Sequence, residues 1–178
     1  SMNPTKNLPA LVSAFRSVAS PDVRLVIVGG ENSAVFAGES LESSRDPRVI
    51  ATGAISDGEL NALYRNAHAF VFPSLYEGFG IPPLEAMSLG CPVVAARAAS
   101  IPEICDDAAL YFNPLDIKDI TISLELILTD DTLRETLCQR GSARVALFTW
   151  ERAASQLFDH LLNIKLIDQP KGYKTESV

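Results

Sequence analysis

Five short apolar runs, each bordered by glycine or proline on at least one side and most followed by a stretch of helical character, constrain this chain more than any other feature. Leu25-Val-Ile-Val28 runs into Gly29-Gly30, and Val49-Ile-Ala51 runs into Gly53. Ala69-Phe-Val-Phe72 precedes Pro73, Pro92-Val-Val-Ala95 follows Gly90, and Leu110-Tyr-Phe112 comes last. Runs this short and uniformly apolar read as strands buried on both faces, which occur in parallel sheets. Alternating strands and helices predict an α/β chain: a doubly wound, Rossmann-like parallel sheet with helices on both faces, followed by C-terminal helices.

The helices carry their own signals. Leu8, Leu11, Val12, Phe15 and Val18 follow helical spacing behind Asn7, a candidate N-cap, and Ser20-Pro21-Asp22 breaks that helix. Ser56-Asp-Gly-Glu59 is a capping box, and Leu60, Leu63 and Tyr64 supply the apolar face behind it. A proline-started helix is expected over residues 82–89, and Gly90 stops it. Residues 117–128 form the next helix, Asp130 caps one reaching Phe148, and Thr149 caps a last one through Leu157, Leu161, Leu162 and Leu166. Residues 31–46 read as a helix rich in small residues. Residues 1–168 are taken as one domain and residues 169–178 as a flexible tail.

Charge and composition exclude several classes. A net charge of −7 argues against nonspecific binding to nucleic acid or anionic lipid, so no nucleic-acid partner is expected. No run of about 18 apolar residues is present to span a bilayer. Three widely spaced cysteines, Cys91, Cys105 and Cys138, form no CxxC pair and suit a reduced, cytoplasmic compartment. With only His68 and His160, a zinc site is not expected.

Ligands of open α/β sheets sit beyond the carboxyl ends of the strands. Four segments fall there: Gly29-Gly30, Gly53 to Ser56, Pro73 to Leu84, and Ala96 to Glu103. The third holds Glu77-Gly78-Phe79-Gly80-Ile81-Pro82-Pro83-Leu84-Glu85. Glycine lets backbone approach a ligand, and a helix start offers unsatisfied N–H groups to a phosphate. A strand-to-helix turn that needs glycine sterically would look the same. Glu85 in a first helical turn either complements the helix dipole or accepts two vicinal ribose hydroxyls. Glu77 gives no capping benefit and is flanked by Tyr76 and Phe79, which favours a functional role. Lys6 is either a solvated charge or an ammonium within reach of a diphosphate. Glu103 either caps a short helix or faces the ligand.

Together these residues resemble the retaining group-1 glycosyltransferases, glycosyltransferase family 4, whose fold is named glycosyltransferase-B. The resemblance rests on Lys6-Asn7-Leu8, Val26-Ile-Val-Gly29, Gly53 with Ser56-Asp-x-Glu59-Leu60, and Glu77-Gly-Phe-Gly with Glu85-Ala. Gly90-Cys-Pro-Val-Val-Ala95, Ile101-Pro-Glu103, Asp107-Ala-Ala and Phe148-Thr-Trp150 extend it. It implies the C-terminal, donor-binding half of such an enzyme, moving a hexose from a nucleoside-diphosphate sugar (GDP-, UDP- or ADP-linked) to a glycan or lipid-linked acceptor. Glu77 and Lys6 would act at the reacting centre, Glu77 near the transferred sugar and Lys6 on the departing diphosphate. Glu85 would hold ribose, and Gly78, Phe79, Gly80, Ile81 and Leu84 would line the sugar and phosphates. Gly29, Gly53 and Ile55 would border the nucleobase. No metal and no resident cofactor are implied, and transfer would be front-side.

Two departures are visible. Ala98-Ala99-Ser100 stand where the family has two glycines before its Pro-Glu pair. The five residues before Lys6 cannot supply the strand and arginine that precede this lysine in the family, nor the acceptor domain. A gap or open edge in the sheet is therefore expected, together with weak nucleotide binding and little transfer by this chain alone. In a longer enzyme, peripheral attachment at the inner face of a membrane is an option. The rival readings are a non-hydrolysing sugar-nucleotide epimerase and a non-catalytic nucleotide-binding module.

Overall fold

The computed structural model describes residues 4–29 and 46–163. The expected helix over residues 31–46, the continuation to Leu166 and the tail lie largely outside them. Five strands are present: β1 Leu25–Val28, β2 Val49–Gly53, β3 Phe70–Phe72, β4 Val93–Ala96 and β5 Ala109–Phe112. All pairings are parallel, but they form two ladders, β1-β2 and β3-β4-β5. Helices lie on both faces. The sheet is Rossmann-like as expected, yet among the described residues no strand joins the two ladders.

Every residue of β4 is fully buried, as its unbroken apolar run requires of a strand covered on both sides. Helix α1, Leu8–Arg16, buries Leu11, Val12 and Phe15, each contributing about 1.5–3 kcal/mol. Asn7 sits at the N-cap as expected, but left-handed at φ 52° and without a side-chain cap bond. Its side-chain nitrogen Nδ2 instead donates to the Pro114 carbonyl at 2.8 Å, tying α1 to the loop after β5. Helix α2, Asp57–Asn66, starts on the Ser56–Glu59 capping box, with both reciprocal bonds formed. Arg48, before β2, holds Asp46 and donates to the Val18 and Ser20 carbonyls at 2.9 and 3.1 Å. That guanidinium fastens the β1-β2 ladder to the end of α1.

Helix α3, Ile81–Ser88, begins one residue earlier than expected, on Gly80 at φ 110°. The short α4, Ile101–Cys105, follows β4. Then come α5, Ile117–Thr129, capped by Asp116; α6, Asp131–Val145, capped by Asp130; and α7, Trp150–Asn163. The Thr149 hydroxyl accepts from the Arg152 amide at 3.2 Å, the expected cap for α7. No described helix is long and apolar enough to cross a membrane.

Helix α3 is set by its contact with α6. A Cβ at Gly141 would lie 3.0 and 3.2 Å from Met87 side-chain carbons and 3.7 Å from its Cα. Glycine at 141 thus allows a close approach that a branched side chain would prevent. Gly141→Val is expected to destabilise by about 1–3 kcal/mol, the usual cost of overpacking. Chemical denaturation of Gly141→Val, Met87→Ala and the double variant checks this: the double should lose less than the two singles summed.

Candidate functional site

The site is built around the loop between β3 and α3. The Leu75 amide donates to the Thr5 carbonyl at 2.7 Å, which sets the 3-10 turn Pro4–Lys6 against this loop. Lys6, adjacent in sequence to α1 and remote from the loop, is thereby brought to it. Its Nζ lies 2.6 Å from Glu77 Oε1 and 5.7 Å from the centre of the Phe72 ring. The Ser74 hydroxyl, almost fully buried, donates to the same Oε1 at 2.6 Å.

Glu77 has 19% of its side chain exposed, and Lys6 has 40%. Burial by itself would push the Glu77 carboxyl up. The hydrogen bonds from Lys6 and Ser74, with the lysine charge, outweigh it and hold the group below its ordinary 4.5. Glu77 is therefore a charged, partnered carboxylate at the mouth of the loop. Lys6 has three N–H donors, so serving Glu77 leaves others for a second anion.

The two turn glycines differ. Gly80 needs glycine for its backbone, at φ 110°, and caps α3. Gly78 has no positive φ, and a Cβ there would meet nothing within 4 Å. Neither conformation nor neighbouring protein requires glycine at 78, so a purely steric account of the turn fails there. At the start of α3, Pro82 and Pro83 lack N–H, and Ile81 and Leu84 carry the amides. Ile81 is exposed, as is Phe79, whose ring packs edge-on against Phe148 at 5.9 Å. The Arg144 guanidinium lies over the other partner of that pair, 5.1 Å from the Phe148 ring.

Glu85 is exposed on α3. It lies close enough to Tyr64 to help, after burial, to push that phenol up to about 12. Gly29 and Gly53, both at positive φ, meet at the carboxyl end of the other ladder, where the Gly29 amide donates to the Gly53 carbonyl at 2.8 Å. Ile55 is half-buried just beyond. The structure thus joins Lys6 to Glu77 and Gly29 to Gly53. No hydrogen bond or ion pair among the described residues links the two groups. Glu103 is exposed in the first turn of α4 and caps nothing with its side chain. Cys91 and Cys105 are core residues whose burial pushes their thiols up to about 12 and about 11, far from nucleophilic character.

Sequence reasoning missed two serines. Ser74 stands three residues before Glu77, a spacing that suits a local side-chain bond. Ser100 donates toward the carbonyls of Glu77 at 2.8 Å and Phe79 at 2.9 Å. Its only sequence signal is its place in Ala98-Ala99-Ser100, and Ala99 there takes φ 48°, the left-handed conformation glycine favours.

A carboxylate-lysine pair and a glycine turn thus stand together beyond the carboxyl edge of a parallel sheet. The chain belongs to the family "Glycosyl transferases group 1", whose model matches residues 1–144. It is 35% identical over 162 residues to the O-antigen chain mannosyltransferase B of Escherichia coli, an alignment covering 87% of this chain and 42% of that protein. The C-terminal domain of the group 1 glycosyl transferase family protein LpcC from Francisella tularensis superposes with a TM-score of 0.70 at 28% identity, covering 82% of this chain and 80% of that one. Sucrose-phosphate synthase from Thermosynechococcus elongatus gives a TM-score of 0.77 at 27% identity, covering 92% and 43%. The chain therefore spans less than half the length of the Escherichia coli relative.

A depressed carboxylate contributes stability above its unfolded pKa and loses it as pH falls through the folded value. Wild type is expected to be more stable than Glu77→Gln near neutral pH, with the difference closing as pH drops below 4.5. Urea unfolding of both proteins across that range provides the check. A difference independent of pH would show that the Glu77 charge contributes nothing to the fold.

Proposed function

We propose that this chain is the donor-binding part of a retaining hexosyltransferase that takes a hexose from a nucleoside-diphosphate sugar. The observation that carries the reading is the combination at the β3–α3 loop: a charged Glu77 paired with Lys6, beside a glycine at 78 that nothing in the protein requires. Membership in the family and the mannosyltransferase relative support the transferred group being a hexose.

In this reading the nucleobase lies against Gly29, Gly53 and Ile55, and Glu85 accepts from the ribose hydroxyls. The diphosphate lies over Gly78 and Gly80, receiving the amides of Ile81 and Leu84 and the Lys6 ammonium. Positive charge held ready where the leaving group becomes more negative lowers the barrier, and a lysine with a helix start can supply it without a metal. Glu77 contacts the transferred sugar and, already engaged by Lys6 and Ser74, serves as a polar guide rather than as nucleophile. The acceptor hydroxyl attacks the anomeric carbon from the side the diphosphate leaves. The new C–O bond forms as the old one breaks, and the hydroxyl proton passes to a departing phosphate oxygen. We assign acceptor binding, to a glycan or lipid-linked sugar, to further sequence of a longer enzyme. This chain alone is expected to bind nucleotide and to transfer little.

Calorimetry with UDP, GDP and ADP tests the site. One of the three should bind, and Glu85→Ala should weaken it roughly three- to tenfold, the value of one or two lost hydrogen bonds. Gly78→Ala should weaken binding while leaving the melting temperature in place, whereas Gly80→Ala should lower stability by about 1–2 kcal/mol through backbone strain. Absence of binding to all three nucleotides would overturn the reading.

A further inference from the structure

Ser100 lies 23 residues from Glu77 in sequence and on a different loop, yet its hydroxyl reaches two carbonyls of the turn that carries Glu77. From the geometry we infer that Ser100 is a positioning residue, fixing the Glu77-Gly78-Phe79 turn so that the amides and carboxylate meet the diphosphate-sugar end of the donor. The inference rests on the donor-site reading above.

The local structure explains how serine comes to be there. Strand β4 ends at Ala96, the Ala98 amide donates back to the Ala96 carbonyl at 2.9 Å, and the Ile101 amide donates to the Ala98 carbonyl at 3.2 Å. Ala99 turns left-handed between them, which swings Ser100 toward the neighbouring loop. Ser100 is the N-cap residue of α4 by position, but its hydroxyl caps nothing in its own helix. N-cap serines ordinarily turn their oxygen inward onto the helix amides. This one points its hydroxyl outward, to carbonyls that no other hydrogen bond among the described residues engages.

Its partners are significant. A hydroxyl has one proton, so the two carbonyls share it, and both are held at one distance from the α4 start. Those carbonyls flank Gly78, the position with no side chain and open space above it. Glycine on both sides of Phe79 leaves the turn with few restraints of its own. The remaining holds act on side chains: Lys6 and Ser74 on the Glu77 carboxylate, Phe148 on the Phe79 ring. Ser100 holds the backbone between them. Removing the hydroxyl should therefore loosen the Glu77–Gly78 and Phe79–Gly80 peptides, which carry the Gly78 and Gly80 amides and lead into the Ile81 amide. Glu85, further along α3 and held by the α3–α6 contact, should be unaffected.

The test compares wild type, Ser100→Ala and Ser100→Thr by two readouts. Hydrogen exchange of the free protein should show faster exchange at the amides of residues 78–81 in Ser100→Ala, with Ser100→Thr close to wild type. Calorimetry with UDP, GDP and ADP and with the matching monophosphates should show a loss in Ser100→Ala of roughly three- to tenfold for the diphosphate that binds. The monophosphate should change less than about twofold, and threonine should restore the diphosphate affinity. Equal losses for both nucleotides, or unchanged exchange at residues 78–81, would overturn the positioning role while leaving the donor-site reading intact. A wild-type chain that binds none of the six nucleotides would overturn the donor-site reading and this inference with it.

Discussion

A carboxylate four-fifths covered by protein can stay charged only if something answers the charge, and that requirement organises the β3–α3 loop. Glu77 has 19% of its side chain exposed, and Lys6 and Ser74 both bond its Oε1. Desolvation of this kind costs several kcal/mol per ion when it goes uncompensated. The compensation ties together parts of the chain that are distant in sequence. Lys6 is delivered by a turn that itself hangs on the Leu75 amide, and Ser74 ends the buried run 72–74 at the exit of β3. The start of α1, the exit of β3 and the entry to α3 are therefore one electrostatic unit. A change at any of the three reaches the other two through Glu77.

Much of the architecture was legible in residue pattern. The apolar runs became β1 to β5 within a residue or two, and β4 is buried throughout as its pattern requires. In β1 and β2, however, Val26, Val28 and Ile50 are exposed, so the expectation of burial on both faces does not hold for that ladder. The Ser56–Glu59 box and the Asp130 and Thr149 caps formed as their side chains require. Asn7 did not cap, since a left-handed residue aims its side chain away from the helix, and the Pro114 carbonyl offered another partner. The Lys6–Glu77 pairing was only half legible. Motif resemblance placed both residues in one site, but their separation of 71 positions gives periodicity nothing to work on. Ser74 and Ser100 were not legible as functional, because serine at a loop is ordinary and only coordinates show which carbonyl or carboxylate it serves.

The division of the strands into two ladders has a structural consequence for the site. β1 and β2 carry Gly29, Gly53 and Ile55 to one carboxyl edge, and β3 to β5 carry Glu77 and Ser100 to another. Among the described residues, the β1-β2 ladder is held by Arg48, whose guanidinium grips the carbonyls that follow α1, and by Leu25 and Val49, which pack against the core. α1 in turn packs on α5, where the Thr121 hydroxyl donates to the Ala14 carbonyl at 3.3 Å. The separation of the two halves of the site is thus set through helix packing rather than through a continuous hydrogen-bond ladder. Helix packing tolerates small sliding more readily than a ladder does. A ligand that touches both edges would therefore add the cross-link that the described strands lack, and would stabilise the fold by mass action.

The proposed function asks a chain of net charge −7 to hold a diphosphate. At long range its field opposes an anion, though salt screens that opposition beyond about 8–10 Å. At short range the Lys6 charge is partly offset by Glu77, so its contribution comes through the N–H donors that Glu77 leaves free. What else favours phosphate is the start of α3 and the glycine turn before it, whose N–H groups act over hydrogen-bond distances and lose strength steeply when misaligned. Affinity built on such donors depends on where the backbone sits more than on how much charge surrounds it. For the proposed donor site, that is why a neutral serine bound to two carbonyls would bear on recognition of a dianion: the position of the peptide planes would add to what the Lys6 charge supplies.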